Sequence, residues 1–255
     1  MKKLSILFIA NSFADDTIEY MPFIAKDLGY DLDLYNLYIG GCEVQKHIDN
    51  ILNNLPAYEL RIFNKEKGVW ETKYEVSINE FVITQHWDYL VLQQASHLSG
   101  IKDALKNVKE LIKLLKDLIK DDKTQFAWNM TWSYPKYSDL WVFKECFNCD
   151  QIKMFEGIIA NVKEDIVTNK DFVKIIPNGT SIMNARHFVD DKLLHRDGLH
   201  LSYDYGRYLA GLTAIATFLD NDLSDVKYYP NIPLEVKKTF IECANLAIKE
   251  PFKYL

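Results

Sequence analysis

The chain has 255 residues, 48% of them hydrophobic and 26% charged, with ten glycines and seven prolines, a mixture that excludes collagen, low-complexity and disordered chains. Thirty-six acidic residues against 30 Lys and Arg leave a formal net charge of -6, and without a long basic run to neutralise phosphates no nucleic-acid partner is expected. A chain of this length can bury one large core without disulfides or metal, and Cys42, Cys146, Cys149 and Cys243 do not make a secreted disulfide framework.

Leu4 to Ala10 is a short apolar run stopped by Asn11 and Ser12. It follows two lysines as a leader's apolar core would, but no small-x-small cleavage site lies behind it, so a buried strand and a cytoplasmic protein are expected. No apolar stretch approaches the roughly 18 residues of a membrane span, and no membrane partner is expected. In Thr17 to Leu28, Ile18, Met21, Ile24, Ala25 and Leu28 recur at helical spacing, with Gly29 placed as a C-terminal cap. Asp31 to Ile39 alternates as a second strand ending at Gly40 and Gly41, and an amphipathic helix follows from about Glu43 to Leu52. Tyr58 to Val76 breaks the pattern, with aromatic and β-branched residues flanking Lys67 and Gly68, and reads as an inserted β-hairpin.

Alternation resumes with strands over Tyr89 to Gln93, Gln125 to Asn129 and Phe172 to Ile176, and helices over Ile101 to Ile119 and Gln151 to Val167. Helices over Tyr203 to Leu219 and about Leu234 to Ile248 close the chain. This order predicts one α/β domain over residues 1–255, a three-layer sandwich around a mostly parallel five-stranded sheet. Chemistry in such folds gathers at the loops beyond the strand C-terminal ends.

Ser12 lies just past the first strand, with small Ala10 and Ala14 two places to either side. A serine there can present its hydroxyl on a strand-to-helix turn, although Ser is also a preferred helix cap. Asp197 and His200, three apart in HRDGLHLS, can face the same way in a turn. An Asp on one ring nitrogen holds the tautomer whose other nitrogen accepts a serine proton. Ser12, His200 and Asp197 are therefore the candidate nucleophile, general base and orienting acid.

These segments resemble the SGNH, or GDSL-like, hydrolases. Phe8 to Phe13 resembles the first block with Ala10 in the usual glycine place, Ile39 to Cys42 the second with Gly41 as an oxyanion amide, and Asp197 to Ser202 the fifth. The third block, WDYLVLQQAS, lacks the usual Asn, and Gln93 or Gln94 stands where an equivalent oxyanion amide is needed beside the amide of Ser12. Ser96 and His97 are further candidates. The resemblance implies a flavodoxin-like fold, no cofactor or metal, and a serine esterase acting through an acyl-enzyme.

Trp128, Trp132 and Tyr134, in the aromatic run WNMTWSYP, are candidate stacking faces for a sugar, with plain loop packing as the alternative. With them the expected substrate is a small-molecule or carbohydrate ester carrying a short acyl group, acetyl first. The alternatives are a lipase- or thioesterase-like enzyme, marked by a longer apolar groove, and a non-catalytic glycan-binding protein on the same scaffold. Asn184 and Arg186 are candidates to orient a polar substrate. Cys146 and Cys149 read as plain thiols, and Asp15 and Asp16 as an acidic first turn complementing a helix dipole.

Overall fold

The computed structural model describes residues 1–219 and 223–255. It opens on β1 (Lys2–Ala10), whose last five residues are fully buried. A strand end that is apolar at every position needs cover on both faces. Two short helices follow, α1 (Ser12–Ile18) and α2 (Met21–Asp27), instead of one helix over 17–28. Pro22 is the reason, because it sits in the first turn of α2 and has no amide hydrogen to continue the preceding helix. Gly29, at φ +81°, ends α2 in the left-handed region expected just past a helix.

The chain continues through β2 (Tyr30–Tyr38), α3 (Val44–Leu52), β3 (Tyr58–Asn64), β4 (Val69–Val76), α4 (Ile78–Phe81) and β5 (Tyr89–Leu92). Next come α5 (Ser96–Ser99), α6 (Val108–Ile119), β6 (Gln125–Asn129), α7 (Trp141–Phe147) and α8 (Gln151–Asn161), which runs into a π-helical turn over Val162–Val167. Then follow β7 (Phe172–Ile176), α9 (Asn178–Ala185), α10 (Asp191–Leu194), α11 (Gly206–Leu219) and α12 (Leu234–Lys249). The helix expected over 101–119 begins only at Val108. The Asn161 side-chain amide donates to the carbonyls of Ser99 at 2.9 Å and Ile101 at 2.6 Å, and Asp103 takes φ +67°, so 101–107 form turns instead.

The sheet has seven strands in the order β4-β3-β2-β1-β5-β6-β7, which corrects the expected five. The five parallel strands, β2-β1-β5-β6-β7, are its core. The hairpin of 58–76 supplies the other two, because β3 pairs antiparallel with β2 from Tyr35↔Ile62 to Tyr38↔Glu59. That pairing covers the backbone edge that β2 would otherwise leave open. Helices α1, α2, α9, α11 and α12 pack among themselves, whereas α3 packs on α6, and α5 and α7 on α8. The chain moves outward from β1 to β2 and then returns to β5 on the other side of β1, so a crevice opens beyond the C-terminal end of β1. Among the described residues no helix is long and apolar enough to cross a membrane.

Two histidines are buried within this fold. His47 bonds the Tyr58 hydroxyl at 2.9 Å, and burial lowers its pKa to about 3. His195 also falls to about 3, through burial first and then the Arg186 guanidinium, against the opposing pull of Asp191. Both bind a proton more readily when unfolded, so stability is present above the unfolded histidine pKa and is lost as pH falls through the window below it. Unfolding free energy is expected to drop by about 3 kcal/mol between pH 6.5 and 5, before most carboxylates titrate. Urea denaturation across that range checks it, and a flat midpoint would contradict the neutral state of the two rings.

Candidate active site

Asn11 caps α1, its side-chain oxygen accepting from the Phe13 amide at 3.1 Å, which turns the chain sharply out of β1. Ser12 is the first residue of α1. Its Oγ lies 2.9 Å from His200 Nε2, across 188 positions of sequence, and His200 Nδ1 lies 2.9 Å from Asp197 Oδ2. An ionised carboxylate only accepts hydrogen bonds, so Nδ1 carries the ring proton and Nε2 accepts from the Ser12 hydroxyl. Partial burial pushes the Asp197 carboxyl up, but the backbone amides of His200 and Leu199, donating at 2.7 and 2.9 Å, and the His200 ring outweigh it and hold the group below the usual carboxylate range.

The loop carrying His200 is held from below by Asp16, one helical turn after Ser12 and fully buried. Its Oδ1 accepts from Arg196 Nη1 at 2.7 Å and Arg207 Nε at 2.8 Å, and its Oδ2 from the Leu201 amide at 2.9 Å. Arg196 Nη1 also donates to the Leu201 carbonyl. A carboxylate is stable in such a place only when its oxygens are matched by charged or backbone donors, as they are here. In the sequence Asp16 is one half of an acidic pair in a helix's first turn, and nothing local separates it from Asp15, which accepts from Asn36 at 2.8 Å.

Gly41 lies beside Ser12 in the same crevice, at φ +62°, a conformation that favours glycine. The next amide, of Cys42, is spent on the Ile39 carbonyl at 3.1 Å. The two glutamines are elsewhere. Gln94 Oε1 accepts from the amides of Val44 and Ala95, at 3.0 and 2.9 Å, and its Nε2 donates to the Ala104 carbonyl. Gln93 belongs to a relay of amides along the C-terminal ends of the parallel strands. Asn178 donates to Asn129 at 2.9 Å, Asn129 to Gln93 at 2.8 Å, Gln93 to Asn11 at 2.6 Å, and Asn11 to the Cys42 carbonyl at 3.0 Å. The relay fixes the turn carrying Ser12 against the loop carrying Gly41. Its sequence signal is an Asn or Gln at or just past four of the parallel strands, a pattern visible only once those strands are placed side by side.

The proposed sugar-stacking faces are corrected by burial. Trp128 is 2% exposed and packs edge-on to Phe172 in the core. Trp132 is fully buried, stacks on Phe13 at 4.1 Å, and donates its indole N–H to the Leu199 carbonyl at 2.9 Å, which supports the His200 loop. Arg186 and Asn184 are likewise bound within the protein, Arg186 to Asp191 and Ser133, and Asn184 to the Cys243 carbonyl and the Leu255 amide. Of the aromatics lining the crevice, Tyr134 is buried with its hydroxyl bonded to Ser96, and Trp141 is 72% exposed at the start of α7, a helix that sequence periodicity missed. Cys146 and Cys149 are free thiols. Among the described residues no group of three or more His, Cys, Asp or Glu is arranged to hold a metal ion.

A model for the domain of unknown function DUF4886 matches residues 5–247. A DUF4886 family protein from Bacteroides uniformis is 33% identical over 100% of this chain and 98% of its own, with a TM-score of 0.94. Two more distant structures share the fold. One is a candidate SGNH hydrolase from Slackia heliotrinireducens, 17% identical over 85% of this chain and all of its own, at a TM-score of 0.53. The other is an acetyl-xylooligosaccharide esterase variant from Geobacillus, 11% identical over 89% of this chain and 96% of its own, at 0.52. No curated protein matches the chain.

Proposed function

The chain belongs to the DUF4886 family, and we propose that it is a serine ester hydrolase. The observation that carries this reading is the continuous contact from Ser12 Oγ through His200 to Asp197, both links at 2.9 Å, at the mouth of a cavity. In the first half-reaction Ser12 Oγ bonds to the ester carbonyl carbon while His200 Nε2 takes the hydroxyl proton. The tetrahedral oxyanion is stabilised by the backbone amides of Ser12 and Gly41. The carbon–oxygen bond to the alcohol then breaks, and His200 returns the proton to the departing oxygen. Water repeats the sequence on the acyl-enzyme, giving the carboxylic acid and free Ser12.

Gln93 and Gln94, whose side-chain bonds lie within the protein, contribute to this scheme by holding the two loops rather than by reaching the oxyanion. The carbohydrate part of the acetyl-ester reading drew on the aromatic run, and the burial of Trp128 and Trp132 removes their support for a sugar while leaving the ester chemistry intact. The unbroken Ser12, His200 and Asp197 contact also favours an enzyme over a glycan-binding protein on the same scaffold. A fluorophosphonate probe tests the reaction without assuming a substrate. Labelling is expected on Ser12, located by peptide mass spectrometry, and is expected to vanish in Ser12→Ala and His200→Ala. Folded wild-type protein that takes up no label would sink the proposal.

A further inference from the structure

Ser12 and Gly41 open into a cavity of about 540 Å³. The wall opposite them is apolar, formed by Leu98, Ile101, Leu140, Val142 and Cys146, all half-buried, and by the exposed indole of Trp141. Its polar groups have partners within the chain, those of Ser96 and Tyr134 buried and that of His97 half-exposed. The Ser96 and Tyr134 hydroxyls bond each other at 2.9 Å, and the His97 ring meets Glu43 at 3.1 Å. Such a wall offers a ligand apolar surface and few free donors.

The chemistry tells which part of an ester lies there. A leaving alcohol has to stand within reach of His200 Nε2, which returns its proton. The cavity lining includes Ser12 and Gly41, so a carbonyl attacked by Ser12 with its oxygen on the Gly41 amide stands at the cavity wall, and the acyl chain it carries has the cavity to enter. At roughly 30 Å³ per heavy atom, an acetyl group fills only about a sixth of the space.

We infer that the acyl group taken by this site is an apolar chain of about six carbons or more, seated between Ile101 of the 101–107 turns and Val142 and Cys146 of α7. The inference rests on the serine hydrolase reading above and adds the substrate class to it. Leu98, Ile101 and Val142 are held half-exposed by the fold, and a bound chain removes them from water. Each methylene it seats raises kcat/KM about fourfold until the cavity is filled.

The test uses nitrophenyl acetate, butyrate, octanoate and dodecanoate with the wild type and with Cys146→Phe, which obstructs the cavity. Val142→Phe serves as a second obstruction should the first fail to fold. Calorimetric binding of octanoic acid is measured on the same proteins. The octanoate ester is expected to exceed the acetate by about three to four orders of magnitude in kcat/KM, six methylenes at about fourfold each, and obstruction to cut that ratio by about tenfold or more. Acetate as the best substrate, with a ratio unmoved by obstruction while Ser12 still takes the fluorophosphonate, overturns the acyl class and leaves the reaction standing. If no ester is turned over and Ser12 is not labelled, the reaction reading fails. In that event octanoic acid binding that obstruction abolishes still supports the apolar site, and absence of binding overturns it too.

Discussion

Replacing His200 with alanine is expected to lower kcat/KM on an activated ester by about four to six orders of magnitude. Without the imidazole at 2.9 Å, the Ser12 hydroxyl has no acceptor for its proton at the moment of attack, and the departing alkoxide has no donor. Asp197→Asn separates orientation from base strength. An asparagine side-chain amide can donate to His200 Nδ1, which favours the tautomer with the proton on Nε2, where it blocks acceptance from Ser12. A loss of about three to four orders of magnitude is expected, with the fold intact, because Asp197 is exposed and its hydrogen bond to His200 is weak as a stability element. Ester kinetics beside a thermal melt check both variants. Activity within tenfold of wild type in either one contradicts the role given to that residue.

Asp16→Ala is expected to be the most damaging substitution away from the reacting atoms. It removes the shared carboxylate from Arg196 and Arg207, which are partly shielded from water and keep hydrogen bonds to the Leu201 carbonyl and Glu19 respectively, and leaves the buried Leu201 amide without its acceptor. Removing one member of a buried, hydrogen-bonded ion cluster costs about 3 kcal/mol or more, which for a chain of this size lowers Tm by about 6 to 12 °C. The same bonds set the height of the His200 loop over α1, and a displacement of about 1 Å there costs about a hundredfold in turnover. Measured well below the lowered Tm, kcat is expected to fall by that order with KM nearly unchanged. Asp16→Asn, which keeps an acceptor for the Leu201 amide, is expected to recover part of kcat. A variant that melts earlier but turns over at the wild-type rate would make Asp16 a stability residue only.

Where the determinants are local, they were legible from residue order. Strands over 125–129 and 172–176 and the hairpin of 58–76 follow from apolar runs bounded by turn residues, and they lie where periodicity put them. The Asp197 and His200 pairing is also local, since a spacing of three in a turn brings a carboxylate to a ring nitrogen. Helix boundaries were less legible where a distant side chain intervened, as Asn161 does in holding 99–101 out of α6.

The sequence by itself determined an α/β alternation, a serine at the end of the first strand and an Asp and His pair near the C-terminus. These depend on period, spacing and residue type, which are properties of neighbours along the chain. Only the tertiary structure decided that the hairpin extends the sheet to seven strands, that Trp128 and Trp132 face the core while Trp141 faces the cavity, and that Gln93 serves a relay of amides. The role of Asp16 was decided there as well, by partners 180 to 191 positions away. Burial and the satisfaction of polar groups are set by whichever elements the fold brings together, and residue order alone does not carry that information.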